Sequence, residues 1–79
     1  MRLRVRYFAS VREFTGLREE EVDVPDGATA EALKRSVLNR YSSLRGQEML
    51  VAVNGAFAEP QRTLKPGDEV ALFPPVSGG

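Results

Sequence analysis

The first 24 residues alternate between apolar and polar positions in two stretches, which predicts two strands. In RLRVRYF (2–8), leucine, valine and tyrosine fall on one face, and three arginines and Phe8 fall on the other. In LREEEVDV (17–24), the valines point inward and the acidic residues outward. A period of two with β-branched and aromatic residues is typical of a half-buried strand. Between the strands, ASVREFTG (9–16) is interpreted as a loop or one helical turn, so the strands form a hairpin with a long connection.

A single amphipathic helix is predicted in PDGATAEALKRSVLNRYSSL (25–44). Its first three residues form a turn, and Thr29 is placed to cap the first backbone N–H groups. An apolar stripe recurs at helical spacing and gives the helix one apolar face. The members of the stripe are Leu33, Val37, Tyr41 and Leu44.

Three further strands are predicted in the second half of the chain. MLVAVNGAF (49–57) contains Asn54-Gly55, the strongest short signal for a hairpin, because both central positions of that turn tolerate a positive φ. A second turn, KPGD (65–68), precedes the last strand, EVALF (69–73), whose valine and leucine point inward.

The predicted order is β-β-α-β-β-β, an α+β arrangement with one main helix. One amphipathic helix covers one face of a sheet, so the other face meets water or a partner. A mixed sheet wrapped around one helix is the ubiquitin-like β-grasp fold. The sequence therefore predicts one domain over residues 1–75 and an extended C-terminal tail over residues 76–79.

Composition argues against chemistry by the side chains of this chain. There is no Cys and no His, which excludes thiolate nucleophiles, imidazole acid–base catalysis and Cys/His metal sites. Eleven basic residues balance eleven acidic ones, so no nucleic-acid partner and no membrane partner is predicted. No apolar run reaches the length of a membrane span. We expect a cytoplasmic protein with no permanently bound cofactor, no metal and no catalytic activity alone.

Three phenylalanines are candidates for a partner-binding surface. Phe8 and Phe73 have outward parity, and Phe57 follows the hairpin turn. If the first and last strands are neighbours, as the β-grasp fold requires, the three side chains lie on one open face. Contiguous exposed aromatic residues usually mark an interaction site, although single exposed apolar residues are ordinary.

The ending FPPVSGG (73–79) is the second candidate site. Pro74 and Pro75 fix φ and prevent the strand from continuing, so the chain leaves the sheet in an extended form. The four residues after Pro75 span roughly 13 Å at full extension. Gly78 and Gly79 have no Cβ and therefore fit a channel that is too narrow for other residues. The alternative is an ordinary frayed terminus.

The segments YFASVREFTG, VAVNG and LKPGDEVALFPPVSGG resemble the small, ubiquitin-like subunit of molybdopterin synthase, over essentially the whole chain. The resemblance implies that a separate ubiquitin-activating-type enzyme uses ATP to adenylate Gly79, which then becomes a thiocarboxylate (1-thioglycine). It also implies that the tail enters the large synthase subunit, where the sulfur converts a cyclic pyranopterin precursor to molybdopterin. By the same resemblance, Gly78 lies in the narrow channel that receives the tail. The implied assembly is a heterotetramer of two small and two large subunits. The residues implied to bind partners are Phe8, Phe57, Phe73, Pro74, Pro75, Val76 and Ser77.

Other functions remain open at this point. Carriers that donate sulfur for thiamine or for tRNA thiolation, and ubiquitin-like protein modifiers, also end in Gly-Gly. A different class is a β-grasp adaptor that binds its partners non-covalently through the phenylalanines alone. Loss of Gly79 separates the two classes, because a carrier then loses all function and an adaptor keeps its binding.

Overall fold

One five-stranded sheet and two α-helices make up residues 1–75, the part of the chain that this computed structural model describes. The strands are β1 (Arg2–Tyr7), β2 (Glu19–Asp23), β3 (Leu50–Val53), β4 (Ala56–Phe57) and β5 (Glu69–Phe73). The helices are α1 (Ala9–Thr15) and α2 (Ala30–Arg40), and α2 is followed by a 3-10 turn (Ser42–Leu44).

The sheet is mixed and has the strand order β2-β1-β5-β3-β4. β1 pairs with β5 in parallel, whereas its pairing with β2 is antiparallel. β3 pairs antiparallel with both β5 and β4. The predicted β-grasp fold is therefore confirmed. Because parallel strands end at the same edge of a sheet, the chain leaves β1 and β5 side by side.

The core lies between the sheet and α2. Alternate residues of β1 and β5 are buried, as the period of two predicted. They pack with the buried face of α2 in one cluster. The members from these elements are Leu3, Val5, Tyr7, Val70, Leu72, Ala30, Leu33 and Val37. The opposite face of the sheet carries the exposed and half-buried residues of β1 and β5, as expected when one helix covers one face.

The connection between β1 and β2 differs from its prediction. It is a seven-residue helix, α1, rather than a loop or one helical turn. Val11 is buried in the core and anchors the helix. Gly16 ends it in the left-handed conformation (φ 78°) and donates its N–H to the carbonyl of Arg12 at 2.8 Å. The prediction of a single helix is therefore wrong, because a helix this short has one buried residue and shows no periodic stripe.

α2 begins as predicted and ends earlier. The hydroxyl of Thr29 accepts a hydrogen bond from the N–H of Ala32 at 3.1 Å, which confirms the predicted cap. The helix ends at Arg40, so Tyr41 is its C-terminal cap and Leu44 belongs to the 3-10 turn. Three members of the predicted stripe are buried in the core and Tyr41 packs against it, although two elements rather than one helix supply them.

A polar network joins the edge strand β2 to the end of α2. The hydroxyls of Tyr7 and Tyr41 both donate to the same carboxylate oxygen of Glu20, each at 2.6 Å. Arg40 donates to the other oxygen at 3.4 Å. The two tyrosine rings meet edge to face, with centroids 6.3 Å apart. The network satisfies the polar end of a tyrosine that is only 2% exposed.

We expect Tyr7→Phe to change how stability depends on pH. Burial, followed by the hydrogen bond to Glu20, raises the pKa of Tyr7 well above its ordinary value of 10.0. Above pH 10 the unfolded wild type loses the phenolic proton and the folded state keeps it. The wild-type free energy of unfolding therefore falls, relative to the variant, by up to about 1.4 kcal/mol for each pH unit.

Urea unfolding of both proteins, from about pH 8 to about pH 11, measures this difference. At the lower pH the variant is expected to be less stable by about 1.5–3 kcal/mol, because it loses a hydrogen bond to a carboxylate. Two stability curves that stay parallel above pH 10 would contradict this role of the Tyr7 hydroxyl.

Candidate functional site

The outer face of the sheet is divided into a charged part and an apolar part. Arg2, Arg4 and Arg6 of β1 project from it and form ion pairs with acidic residues of β2 and β5. Further along β5, Ala71 and Phe73 have the same outward parity. The apolar part thus lies where β1 and β5 end, next to the start of the C-terminal segment.

The three predicted phenylalanines lie on this apolar part, which we call the aromatic face (Phe8, Phe57, Phe73). Phe8 is 46% exposed, Phe57 is 75% exposed and Phe73 is half-buried. The rings of Phe57 and Phe73 are in contact, with centroids 5.6 Å apart. Phe8 lies beside the end of β5, because it directly follows Tyr7, which pairs with Leu72, and its N–H donates to the Leu72 carbonyl at 3.1 Å. Strand pairing, rather than ring contact, brings Phe8 to the face.

Three small or aliphatic residues extend this face, and the outward positions of two of them, Leu50 and Ala52, were not predicted from the sequence. Leu50 is 38% exposed and lies opposite Phe73 in the register of β3 and β5. Ala52 and Ala71 are also opposite each other and line an open hollow of about 410 Å³ together with Phe8. The outward parity of Leu50 and Ala52 could not be recognised because MLVAV is a continuous apolar run, which shows no alternation of apolar and polar residues.

The Asn54-Gly55 turn holds Phe57 in position. Both residues have positive φ (51° and 84°), as the predicted hairpin requires. The side-chain amide of Asn54 donates to Asp68 at 2.9 Å, and its oxygen accepts the N–H of Glu69 at 2.9 Å. The hairpin is thereby attached to the start of β5.

Asp68 is the acceptor that anchors this contact. Its carboxylate accepts the backbone N–H of Lys65 and the amide of Asn54, and these two hydrogen bonds lower its pKa below 3.8. The carboxylate is therefore ionised at neutral pH and accepts both bonds in its charged form. The contact keeps the 65–68 turn and the 54–55 turn together at the start of β5.

The C-terminal segment starts beside the aromatic face. Pro74 is half-buried and Pro75 is exposed, and both follow Phe73 without continuing the strand. The predictions for Val76, Ser77, Gly78 and Gly79 fall outside the described residues.

Two further features are absent from residues 1–75. That part of the chain contains no group of three or more His, Cys, Asp or Glu side chains placed to hold a metal ion. It also contains no helix that is long and apolar enough to cross a membrane.

These features define a ubiquitin-like β-grasp domain with an aromatic outer face at the start of its C-terminal segment. The chain belongs to the ThiS family, whose family model matches residues 5–79. It is 37% identical to the molybdopterin synthase sulfur carrier subunit of Chlamydomonas reinhardtii, over 100% of both chains. It is 40% identical to the protein of the same name from Escherichia coli, over 98% of this chain and 99% of the relative.

Solved structures show the same fold. A molybdopterin converting factor subunit 1 from Pyrococcus furiosus (described as putative) superposes with a TM-score of 0.88, at 32% identity over 95% of this chain and 98% of that one. The small archaeal modifier protein 1 of Haloferax volcanii gives 0.84, at 29% identity over 95% and 98%. A complex of subunits 1 and 2 of the molybdopterin-converting factor from Helicobacter pylori contains a chain that gives 0.69, at 25% identity over 100% of both chains.

We expect the aromatic face to contribute little to folding. Phe57→Ala should lower the free energy of unfolding by less than about 1 kcal/mol, because the side chain is mostly exposed. The matched substitution Leu72→Ala, on the opposite face of the sheet, should lower it by about 2–5 kcal/mol, because Leu72 is fully buried. Chemical unfolding of both variants measures the contrast. Equal losses would show that Phe57 is part of the core.

Proposed function

We propose that this chain is the sulfur carrier subunit of a molybdopterin synthase and that the carboxylate of Gly79 carries the sulfur. One observation supports the proposal most directly: the segment that leads to the Gly-Gly ending leaves the sheet beside an exposed aromatic face. Similarity over the full length to curated sulfur carrier subunits agrees with this arrangement. The folded domain then serves as a handle that presents its C-terminus to enzymes.

The proposed chemistry takes place on the C-terminal carboxylate. A carboxylate is a poor electrophile, because its charge is delocalised and hydrated. A separate adenylating enzyme therefore uses ATP to form the glycyl adenylate of Gly79 and releases pyrophosphate. Hydrosulfide then attacks the acyl carbon and displaces AMP, which leaves a thiocarboxylate on the same residue. If the donor is a persulfide, the attack gives an acyl disulfide, and a thiol cleaves its S–S bond to release the same thiocarboxylate and form a disulfide with the donor. No side chain of this chain takes part, so the chain needs no resident cofactor and has no catalytic activity alone.

The second partner in the proposal is the large subunit of the synthase. The Helicobacter pylori complex of subunits 1 and 2 supports a partner of this kind. The aromatic face docks on the large subunit, and Pro74 and Pro75 direct the chain away from the sheet. Val76 and Ser77 span the distance, and Gly78 lies in the channel that leads to the pyranopterin precursor. Holding the thiocarboxylate there converts an encounter into a nearly intramolecular step.

Two small and two large subunits form the proposed assembly. The proposed location of this assembly is the cytoplasm, where ATP and the adenylating enzyme can reload each carrier after every round of transfer.

Protein modification is the second candidate function. The similarity to the small archaeal modifier protein 1, with a TM-score of 0.84, favours it over a non-covalent adaptor. The two functions share the adenylate and differ in the attacking group, which is a sulfur nucleophile for a carrier and a lysine amine for a modifier.

The experiment that tests the proposal is an intact-mass measurement. The chain is incubated with ATP, an adenylating enzyme and a sulfur source, and a parallel sample lacks ATP. We expect the mass gain that corresponds to one oxygen atom replaced by sulfur, located on Gly79 by fragmentation. Formation of isopeptide-linked products without this gain would favour the modifier function instead.

Gly78→Val should separate docking from sulfur loading. We expect the folded domain and its affinity for the large subunit to be nearly unchanged, whereas the yield of thiocarboxylate falls on the order of a hundredfold. A β-branched side chain restricts the backbone and fills a narrow channel, and a displacement of about 1 Å is enough for a loss of this size. Gly78→Ala, with a smaller side chain, should give an intermediate yield. A wild-type yield from the valine variant would remove the steric argument for Gly78.

Phe73→Asp should weaken binding to the large subunit by more than about 2 kcal/mol, the scale of an interface hot spot. Phe14→Asp is the matched control, because Phe14 is 42% exposed on α1 and lies outside the aromatic face. Calorimetric titration of each variant with the large subunit gives the affinities, and thermal unfolding verifies that both are folded. Equal losses for the two variants would contradict docking by the aromatic face.

A further inference from the structure

A second hollow adjoins the aromatic face and is basic. It has a volume of about 220 Å³ and is lined by Arg6, Arg12 and Arg18, together with Tyr7, Phe8 and Glu19. We call it the basic hollow. Phe8 and Arg6 also line the larger hollow beside Ala71. The two hollows therefore form one continuous surface at the end of β1.

The backbone around Phe8 holds the arginines close together. Phe8 is the N-terminal cap of α1, and Arg12 follows it by four residues, which is the spacing of neighbours on a helix surface. The N–H of Val11 donates to the carbonyl of Phe8 at 3.1 Å. On the other side, the N–H of Tyr7 donates to the carbonyl of Arg18 at 2.8 Å. Arg12 and Arg18 thus approach the hollow from separate segments that are both bonded to the end of β1.

The charges of the basic hollow are not balanced within residues 1–75. Arg6 forms ion pairs with Glu69 at 2.9 Å and with Glu19 at 3.9 Å, and Glu19 also pairs with Arg4. Arg12 and Arg18 have no carboxylate within 4.0 Å in the described part of the chain. The hollow therefore keeps a local positive charge in a chain whose formal net charge is zero.

The far end of the same sheet face has a different charge balance. There Arg2 pairs with Asp23 at 3.1 Å and with Glu21 at 3.5 Å. Arg12 and Arg18 thus lie near the end of the sheet at which Pro74 starts the C-terminal segment. A protein that receives this segment must contact the same end of the sheet.

We propose that the basic hollow is a second part of the docking surface and that it binds carboxylate side chains of the large subunit. This inference rests on the function proposed above. Arginine suits the role, because its planar guanidinium binds a carboxylate through two parallel hydrogen bonds. Phe8 belongs to both the aromatic face and the basic hollow. In the proposed complex, the acidic residues of the large subunit therefore lie next to the pocket of that subunit that receives the aromatic face. Charges of this kind at the rim of an interface act mainly on the association rate, and added salt screens them.

The experiment measures association kinetics between the full chain and the purified large subunit. The test variant is the double substitution Arg12→Gln and Arg18→Gln. At about 50 mM salt we expect it to bind about tenfold more weakly than wild type, with most of the loss in the association rate. At about 500 mM salt the difference should largely disappear. The corresponding double lysine variant should keep most of the wild-type rate, because it preserves the charge.

The matched control is the double substitution Arg45→Gln and Arg62→Gln. Both residues are exposed, neither lines the basic hollow, and neither has a carboxylate within 4.0 Å in residues 1–75. It removes the same formal charge as the test variant. The control should bind nearly as wild type, and thermal unfolding should show that both double variants are folded.

Each outcome decides a separate question. If the wild type binds and the test variant keeps its rate and salt dependence, the basic hollow is not part of the interface and the proposed function is unaffected. Equal losses for test and control variants would mean that overall charge, rather than the hollow, steers binding. Slower adenylation with normal large-subunit binding would assign the hollow to the activating enzyme and overturn the inference. A wild-type chain that does not bind the large subunit would overturn the proposed function as well.

Discussion

The parallel pairing of β1 with β5 determines both the core of the domain and the surface beside its C-terminal segment. It places Val5 opposite Val70 and Tyr7 opposite Leu72 at the centre of the sheet, where each of the four is at most 2% exposed. The same pairing ends both strands at one edge and sets Phe8 beside the start of the C-terminal segment. A slip of one residue would exchange the two faces of a strand and bury its outward side chains. One register therefore builds both the core and the docking surface.

The proposed function explains why stability and interaction are separated on this sheet. The face toward α2 carries the buried aliphatic residues, and the Glu20 network attaches the edge strand to the end of that helix. The outer face carries the exposed phenylalanines, and side-chain hydrogen bonds of Asn54 keep the hairpin that carries Phe57 in place. A carrier that visits an activating enzyme and a synthase needs a rigid body with an open face. Its chemistry can then depend on the last residues alone.

Much of this arrangement could be predicted from the sequence, because strand alternation and turn residues are local signals. The inward and outward parity of β1 and β5, the Thr29 cap and the Asn54-Gly55 hairpin are all confirmed. α1 was missed because Val11 is its one buried residue, which gives no periodic pattern. The outward position of Leu50 was missed because it lies in a continuous apolar run. The basic hollow was also missed. It brings Arg12 and Arg18 together because Tyr7 is hydrogen-bonded to Arg18, and a contact between distant segments cannot be predicted from the periodicity of either one. Roles assigned to residues 76–79 stay predictions.

A single-turnover transfer experiment tests whether Gly79 donates the sulfur. The chain is prepared with a thiocarboxylate on Gly79 and mixed with the large subunit and the cyclic pyranopterin precursor, without ATP or any other sulfur source. We expect the carrier to return to the mass of the unmodified carboxylate while the dithiolene product appears, with one carrier consumed for each sulfur atom of the product. A thiocarboxylate that persists, or product that forms equally well when Gly79 carries no sulfur, would show that Gly79 is not the sulfur donor.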